Sequence, residues 1–464
     1  MFRTRAHRRV AAPLSLIAAL VAAATATALT AGPAAPAAAA QATAVPAQAA
    51  ARSPLWVWGL GPTGVTEDAA APVPVHGLGP APVKQVVRNP VGAALVLLTD
   101  GTVWAAGPPP LGNGQTAYSP TFVQVAALSG VSQIAFGTLD AGETGDNTYY
   151  ALRDDGTVWA WGYGADGELG DGSTADTTKP APVTGLAGAT SIAVGMGSAY
   201  AVTGTGQVWA WGAGTNGQLG NGALANSDVP VQVSLADKAT QLVSQCQTAY
   251  ALTGGHRIFA WGANAHGQLG DGSVTNAATP VLVSGIHDAS TVVAGCVDAY
   301  AIIGGTGTVM AWGAGAQGEM GDGHTATRPY PVAVTGLTGI KSVSTSYTSA
   351  YAVDATGQAW AWGYGRQGNL GDGQDANSSV PVKVINITAP VTAVVPDQVP
   401  LAGNGIVSGR VGVVVARGSD GSLWSWGNVG FGALGGGGSG ANPGRIPRIP
   451  AVTGPFGTWF GAVS

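Results

Sequence analysis

Charged side chains are scarce in this sequence, since Asp, Glu, Lys and Arg together make up only 9% of its 464 residues. Acidic residues outnumber basic ones by 24 to 19, and the basic residues form no stripe. Four of the arginines stand within the first nine residues, and the chain without them has 15 basic residues and a net charge near −9. An acidic protein of this kind does not attract a phosphate backbone, so we expect no nucleic-acid partner.

Catalytic and metal-binding signatures are also missing. The sequence has no Gly-x-Ser-x-Gly elbow, no phosphate-binding loop and no dinucleotide fingerprint. The histidines beyond residue 40 have neither the spacing nor the Cys or carboxylate neighbours of a metal site; they are His76, His256, His266, His287 and His324. The pair Asp154-Asp155 falls in a predicted turn, where Asp is common for conformational reasons. We therefore predict a protein that is not an enzyme and that uses no cofactor or metal.

Long apolar runs are confined to the N-terminus. The arginine cluster is followed by an Ala-rich apolar stretch from residue 11 to 30 and by the small residues Ala38-Ala39-Ala40. This order is typical of a cleavable secretory signal, which we assign to residues 1–40; a membrane anchor is the alternative. Residues 41–54 are rich in Ala, Pro and Gln and predict a disordered spacer. We expect a secreted, extracellular protein without membrane insertion.

Glycine, with 74 residues, and a repeated tryptophan motif are abundant. The motif is clearest at Trp209-Ala-Trp211-Gly-Ala-Gly-Thr-Asn-Gly-Gln-Leu219-Gly-Asn-Gly222. Its second tryptophan position falls at residues 58, 106, 161, 211, 261, 312, 362 and 426. The four spacings between 161 and 362 are 50, 50, 51 and 50 residues. A fixed period in this range indicates a propeller, a solenoid or an array.

Each unit contains four short strand-forming segments separated by tight turns, and the first follows prolines, as an outer edge strand allows. In one unit these segments are Pro182–Thr184, Ser191–Val194, Ala199–Thr203 and Val208–Trp211. Four antiparallel strands per unit predict one propeller blade. We predict an all-β protein in which residues 55–464 form a single β-propeller, and the eight copies of the motif, which bound seven intervals, leave seven or eight blades open. A strand at Leu55–Trp58 is expected to close the ring by pairing with C-terminal strands.

Several repeated side chains have structural explanations. A tyrosine recurs 11 or 12 residues before the second tryptophan position, which predicts packing between blades, at Tyr150, Tyr200, Tyr250, Tyr300 and Tyr351. An aspartate recurs within the glycine-rich part of the motif, at Asp171, Asp271, Asp322 and Asp372. We expect it to cap a turn through a bond to the backbone. A calcium loop is the alternative, but the spacing of oxygen ligands is not that of such a loop.

Both cysteines of the chain occupy one repeat position. Cys246 and Cys296 are 50 residues apart, and each precedes a column tyrosine by four residues. In a sevenfold ring, equivalent atoms of adjacent blades are separated by about 0.87 times their radius, so a disulfide requires a site roughly 5–8 Å from the axis. Export to an oxidising compartment favours the bond, whereas two buried thiols are the alternative.

Two repeat intervals are longer than the others. Residues 386–410 lengthen the last interval to 64 residues, and Asp140–Asn147 lengthen an early one to 55. Long loops in compact domains are often functional or disordered. We expect residues 386–410 to project from the ring, so that deleting them changes the temperature of unfolding by only a few degrees.

With its repeats aligned on the Trp-Gly pairs, the sequence resembles the regulator of chromosome condensation repeat family. The match is carried by Trp211-Gly212, Gly217-Gln218-Leu219-Gly220-Asn221-Gly222, Pro230-Val231-Gln232-Val233, Leu242-Val243 and Tyr250-Ala251-Leu252. Similar copies cover roughly residues 55–464, and the resemblance implies a seven-bladed propeller in a secreted bacterial member of the family. The family usually has a His before the third strand, where this chain has Thr148, Ser198, Thr248, Asp298 and Ser349.

The family's eukaryotic founder exchanges guanine nucleotide on a small GTPase. We do not expect that activity here, because no exchange residue maps onto this chain and an exported protein has no access to such a GTPase. The fold is also similar to that of a secreted bacterial inhibitor of β-lactamases, which binds through loops on one face of its propeller.

The loop after each Trp-Gly pair varies while its frame stays constant. Equivalent loops of a propeller emerge on one face, and varied polar and aromatic residues on a rigid frame favour protein binding. The candidate contact residues are Tyr163, Asp166, Asn216, Asn264, His266, Gln317, Tyr364 and Arg366. We predict a secreted monomer that binds an unknown extracellular or envelope protein, as an inhibitor or in a cell-surface interaction. A carbohydrate-binding lectin, or an enzyme, using the same loops is the alternative, and drift at exposed positions would leave the loops without a role.

Overall fold

The computed structural model describes residues 17–21, 55–59, 69–75, 77–88, 93–138, 147–396 and 413–427, and its regular structure is almost entirely β. The strands form eight antiparallel sheets, six of four strands and two of three. One three-stranded sheet is N-terminal and holds β1 (Ile17–Val21), β2 (Leu55–Gly59) and β3 (Ala69–Pro74).

The other seven sheets follow one another along the chain, and we number them blades 1 to 7. Blade 1 holds β4 to β7 (Val83–Arg88, Ala94–Leu98, Val103–Gly107, Ser119–Gln124) and blade 2 holds β8 to β11 (Val131–Thr138, Asn147–Arg153, Val158–Gly162, Thr177–Pro182). Blade 3 holds β12 to β15 (Ala189–Val194, Ser198–Thr203, Val208–Gly212, Ser227–Gln232) and blade 4 holds β16 to β19 (Ala239–Gln245, Thr248–Thr253, Ile258–Gly262, Ala277–Leu282). Blade 5 holds β20 to β23 (Ala289–Ala294, Asp298–Ile303, Val309–Gly313, Arg328–Ala333). Blade 6 holds β24 to β27 (Ile340–Thr345, Ser349–Asp354, Ala359–Gly363, Ser378–Lys383) and a short 3-10 helix at Arg366–Gly368, and blade 7 holds β28 to β30 (Val391–Pro396, Val413–Gly418, Leu423–Gly427).

The first strands of the blades lie side by side in the order β4, β8, β12, β16, β20, β24 and β28. The strands of each blade then pair in sequence order, which places the fourth strand outermost. The chain is therefore a seven-bladed β-propeller, which confirms the fold class predicted from the repeat and the blade number that the family resemblance implied. Blades 1 to 6 have four strands each, and blade 7 has three within the described residues.

The N-terminal sheet contains the strand that was predicted to close the ring. The strand β2, which contains the predicted closing segment, pairs with β1 on one edge and with β3 on the other. Its expected C-terminal partners within residues 428–464 lie outside the described residues.

The outer edges of the blades are marked by proline. Each fourth strand of blades 1 to 6 contains at least one proline, at Pro120, Pro180, Pro182, Pro230, Pro280, Pro329, Pro331 and Pro381. Proline has no N–H to donate, so it is tolerated where one edge of the strand has no partner. The edge position of these strands is as predicted, but the segment at Pro182 was grouped with the wrong unit. Thr177–Pro182 forms β11, which pairs with β10 as the fourth strand of blade 2, and Val183 and Thr184 follow it.

Aromatic side chains fill the boundaries between neighbouring blades. Tyr150 of β9 meets Trp211 of β14 in an edge-to-face contact, with ring centroids 6.2 Å apart. Both side chains are buried among aliphatic residues of blades 2 and 3, which stabilises the boundary by about 1.5–3 kcal/mol per residue. The same contact recurs at four further boundaries, as Tyr200–Trp261, Tyr250–Trp312, Tyr300–Trp362 and Tyr351–Trp426. The predicted packing role of the tyrosine column is confirmed.

One backbone carbonyl at each of these boundaries accepts two hydrogen bonds. The Tyr150 hydroxyl and the Trp211 indole Nε1–H both donate to the carbonyl oxygen of Glu168, at 2.8 and 2.9 Å. The same pair of bonds, from the tyrosine of the blade and the tryptophan of the next blade, reaches the carbonyls of Gln218, Gln268, Glu319 and Asn369. Each of these carbonyls belongs to the loop after a third strand, so the bonds attach that loop to the following blade.

Glutamine side chains join the first strands around the axis. The Gln133 side chain accepts a hydrogen bond from the backbone N–H of Ile192 and donates one to its carbonyl oxygen, at 3.0 and 2.9 Å. Gln241 makes the same pair of bonds with Val292, at 3.0 and 3.1 Å. These amides take the place of backbone pairing between strands that belong to different sheets.

Part of the segment 386–410 is an integral strand, so the prediction that the whole segment projects from the ring is wrong. Residues Val391–Pro396 form β28, the first strand of blade 7, which pairs with β29. Val391 and Val394 are buried in the same core cluster as Trp426, and a deletion of the segment would remove them. Residues 397–410 of this segment, and residues 140–146 of the other long interval, lie outside the described residues.

A disulfide joins Cys246, in the turn after β16, to Cys296, in the turn after β20. The two Cα atoms are 5.1 Å apart, within the range that a disulfide needs. In a sevenfold ring this separation corresponds to a site about 6 Å from the axis. The bond therefore connects blades 4 and 5 close to the axis, at the ends of their first strands.

We predict that thiol titration of the denatured, unreduced protein finds no free thiol, and that it finds two after reduction. Closing a loop of 50 residues should stabilise the fold by about 4 kcal/mol in the chain-entropy model, so C246S/C296S should unfold at a lower denaturant concentration. The variant M196S changes the equivalent position of blade 3 and controls for the substitution itself. Two reactive thiols before reduction would contradict the bond.

Candidate functional site

The predicted contact loops begin and end at one end of the blades. In blade 3, Ser198 pairs with Gly212 and Gly212 pairs with Ser227, so the turn before β13 and the loop between β14 and β15 share that end. Blades 2, 4, 5 and 6 repeat this register. The disulfide therefore lies on the same face as the five loops, which span residues 163–176, 213–226, 263–276, 314–327 and 364–377. We call this side of the propeller the loop face.

Each loop has a fixed base. Gly212, which ends β14, has a φ of +94°, and a Cβ atom there would lie 2.3 Å from the carbonyl oxygen of Gly197. Further along, Asp171 Oδ1 accepts a hydrogen bond from the Ser173 backbone N–H at 2.9 Å. The equivalent residues Asn221, Asp271, Asp322 and Asp372 make the same bond two residues ahead. The predicted turn-capping role of the aspartate column is confirmed.

Three of the eight candidate contact residues bridge neighbouring blades. Asp166 accepts a hydrogen bond at 2.8 Å from the side-chain amide of Asn226, which lies 60 residues further along the chain. Asn276 and Asn377 make the equivalent bonds to Asn216 and Gln317, at 3.2 and 2.6 Å. These side chains connect the loop of blade 2 to that of blade 3, the loop of blade 3 to that of blade 4, and the loop of blade 5 to that of blade 6. The recurrence of Asn226, Asn276 and Asn377 at the repeat spacing was the available sequence signal for this role.

Asn264 lies beneath the surface. Its exposed fraction is 0%, and its Oδ1 atom accepts a hydrogen bond from the Leu269 backbone N–H at 2.9 Å. Its Nδ2 atom donates to the Ser273 hydroxyl and to the Thr275 carbonyl oxygen, each at 3.0 Å. The side chain therefore closes its own loop, and a partner protein could not contact it.

The remaining candidates differ in exposure. The side chains of His266 and Arg366 are exposed at the tips of the blade 4 and blade 6 loops. Tyr163 and Tyr364 are half-buried at the base of their loops, where their carbonyl oxygens accept hydrogen bonds from the hydroxyls of Thr148 and Ser349. Of the eight candidates, His266 and Arg366 are thus the ones whose side chains stand most openly on the loop face.

Two buried glutamates stand where other blades have glutamine or asparagine. Glu168 Oε2 accepts a hydrogen bond from the Asp166 backbone N–H at 2.9 Å. Gln218 Oε1 accepts one from the Asn216 backbone N–H at 2.8 Å in the same way. The Glu168 Oε1 atom has no hydrogen-bond partner among the described residues. Burial raises the pKa of Glu168 from 4.5 to about 7 and also raises the pKa of Glu319. When protonated, these side chains are neutral and imitate the amide of the other blades.

Asp298 departs from a column of hydroxyl residues. The equivalent hydroxyls of Thr148, Thr248 and Ser349 donate to a carbonyl oxygen in the adjoining loop. Asp298 is fully buried and instead accepts a hydrogen bond from the Tyr300 hydroxyl at 2.9 Å. Burial, followed by the nearby charge of Glu319, raises the pKa of Asp298 well above its usual range. Sequence reasoning identified this position but did not reveal the buried acidic pair.

Other chemistry is limited in the part of the chain that the structure describes. There, no group of three or more His, Cys, Asp or Glu side chains is arranged to hold a metal ion. Asp155 accepts hydrogen bonds from the backbone N–H and the hydroxyl of Thr157, which confirms its role in a turn. No helix within the described ranges is both long enough and apolar enough to cross a membrane.

Comparisons with known proteins agree with the fold. The family model described as RCC1-like domain matches residues 54–395. The crystal structure of human WBSCR16 is similar with a TM-score of 0.57 and 18% identity, over 70% of this chain and 87% of that chain. Yeast RCC1 (Prp20), bound to Kap60, gives a TM-score of 0.56 and 20% identity, over 72% and 83%. Prp20p from Saccharomyces cerevisiae is similar with a TM-score of 0.55 and 18% identity, over 77% of this chain and 88% of that chain. At these identities, the likeness to the solved structures shows the fold alone.

The raised pKa of Glu168 predicts a pH-dependent stability. Because the folded chain holds this proton up to about pH 7 and the unfolded chain releases it near pH 4.5, the contribution of Glu168 falls as pH rises through this window. E168Q should therefore gain stability over the parent between pH 4.5 and 7, by at most about 3 kcal/mol, with a constant difference above pH 7. Chemical denaturation at several pH values measures this difference.

The reverse exchange provides the matched control. Q218E places the same acid at the equivalent site of blade 3, where it should lose stability over the same pH window. Identical pH profiles for E168Q and the parent would contradict the assignment.

Proposed function

The chain belongs to the family of RCC1-like domains, and on that basis we propose that it is an exported, monomeric propeller that binds a partner protein with its loop face. The partner is extracellular or part of the cell envelope, and the role is that of an inhibitor or of a cell-surface interaction. The family fold is a protein-interaction scaffold, which is the coarser statement on which this proposal builds.

The observation that carries the proposal is the contrast between the fixed base of each loop and its variable tip. The base is held by the shared carbonyl, the capped turn and the asparagine bridge, so the tips are presented without a large loss of entropy on binding. The tips carry side chains as different as His266, Arg366 and Leu224, all of them exposed. Preorganised loops with varied exposed side chains suit recognition of one partner.

The solved relatives support a protein partner in general terms. The structure of yeast RCC1 (Prp20) contains Kap60, and Prp20p is described by its binding properties to Gsp1p and histones. We do not transfer these partners, because the identities of 18–20% carry only the fold and because an acidic, exported chain would meet none of them. Nucleotide exchange is disfavoured for the same reason.

The test is capture of the partner followed by a binding measurement. The chain without residues 1–40 is immobilised, and culture medium and envelope extract of the producing organism are passed over it. We expect one protein to be retained, and its dissociation constant is then measured with purified components. The double variant H266A/R366A should weaken binding about tenfold or more, since truncated Arg side chains are frequent hot spots.

The matched control lies on the opposite side of the propeller. Lys341 is exposed at the start of β24, the end of the blade away from the loops, and K341A should bind like the parent. Equal loss of binding in H266A/R366A and K341A, or no retained protein, would overturn the proposal.

A further inference from the structure

Exposed apolar side chains are concentrated on the outer part of blades 3 to 6. Eight large apolar side chains are exposed among the described residues, and five of them belong to two positions of the repeat. One position lies in the loop and holds Leu224 and Val274, which are 63% and 59% exposed. The other lies in the fourth strand and holds Val229, Tyr330 and Val380, of which Tyr330 is 51% exposed.

The fold does not require apolar residues at these positions. The loop position holds Thr174 in blade 2 and Thr325 in blade 5, and the strand position holds Lys179 in blade 2 and Thr279 in blade 4. Each of these residues occurs in a complete blade with the same register. The apolar side chains of blades 3 to 5 are therefore a property of this surface and not of the propeller frame.

The loops that carry Leu224 and Val274 each lie against the fourth strand of the next blade. The backbone N–H of Gly272 donates to the carbonyl oxygen of Pro329 at 2.8 Å, which places the loop with Val274 against the strand with Tyr330. Gly222 makes the same bond to Ala278, so the loop with Leu224 lies against the fourth strand of blade 4. We call the residues Leu224, Val229, Val274 and Tyr330 the apolar strip.

The charge around the strip is negative. The three loops that carry the strip and the starts of their fourth strands, residues 213–230, 263–280 and 314–331, contain Asp228, Asp271 and Asp322 against one basic residue, Arg328. Arg328 is paired with Asp322 at 2.6 Å, so Asp228 and Asp271 supply the excess negative charge. Negative charge around an apolar surface repels an anionic lipid headgroup, and it repels the same surface of a second copy of the chain. It attracts a positively charged protein segment.

We propose that the apolar strip docks a positively charged segment of the partner protein, whose aliphatic or aromatic side chains cover Leu224, Val274 and Tyr330. This proposal rests on the protein-binding role proposed above and adds the place and the chemistry of one contact. Burial of the exposed apolar side chains supplies affinity. The nearby aspartates favour a segment of positive charge and increase the rate of encounter.

The test uses a phage-displayed random peptide library, panned on the full chain without residues 1–40. The variant L224T/V274T/Y330T carries threonine, which the chain itself has at both positions, so the fold should be retained; circular dichroism and the unfolding midpoint verify this. Y118T is the matched control, because Tyr118 is 56% exposed in blade 1 and the equivalent residue of blade 5 is Thr327. We expect enriched peptides to combine Lys or Arg with apolar residues. Synthetic copies should bind the parent and Y118T equally, and the triple variant at least tenfold more weakly.

Other outcomes would overturn the inference. These are no enrichment, enrichment of acidic peptides, or equal binding to the triple variant. Two further results would overturn it in favour of another occupant. Binding to phosphatidylcholine–phosphatidylglycerol vesicles that the triple variant abolishes would indicate a lipid surface, and a dimer in sedimentation that the triple variant abolishes would indicate a second copy of the chain. If the captured partner no longer binds H266A/R366A but still binds the triple variant, the role of the apolar strip is refuted while the proposed function stands.

Discussion

The propeller depends on a buried backbone carbonyl that accepts two hydrogen bonds from different blades. The Tyr150 hydroxyl and the Trp211 indole N–H both donate hydrogen bonds to the carbonyl oxygen of Glu168. Four further boundaries repeat the arrangement. Three polar groups are buried there, and none of them is left without a partner, which avoids the cost of an unpaired buried donor. Because the acceptor belongs to the loop and one donor belongs to the next blade, the packing of the core and the position of the loop are determined together.

This coupling explains how the loops can vary without moving. The residue that supplies the carbonyl is Glu, Gln or Asn, since the two bonds use its backbone and tolerate any of these side chains. In blades 2 to 5 its side chain then fixes the loop tip by accepting a hydrogen bond from a backbone N–H, as Glu168 does from Asp166. Burial disfavours the ionised form of such a carboxyl group and raises its pKa, although the hydrogen bond from the Asp166 backbone N–H favours the charged form.

The sequence predicts the features that repeat, and it predicts poorly those that depend on contacts between units. The period, the turn glycines, the aspartate caps and the tyrosine column are local or periodic, so the fold class follows from them, whereas the choice of seven blades follows from the family resemblance. The Asn226–Asp166 bond joins residues 60 positions apart in different blades, and variation at Asp166 therefore looks like surface diversity. Asn264 was misleading for another reason, because a side chain that replaces glycine in a loop can turn inwards and become buried. The strand β28 was missed because its unit departs from the regular spacing.

The prolines of the outer strands have a consequence for how this protein can meet other proteins. An outer strand of a sheet is a template on which a foreign chain can add a strand through backbone bonds, and such addition leads to polymers as readily as to complexes. Residues such as Pro230, Pro280 and Pro381 remove N–H donors along these strands. In blades 1 to 6 these prolines disfavour strand exchange and ordered aggregation at the outer edge. A partner that meets these edges is therefore recognised mainly through side chains, and so through shape and charge.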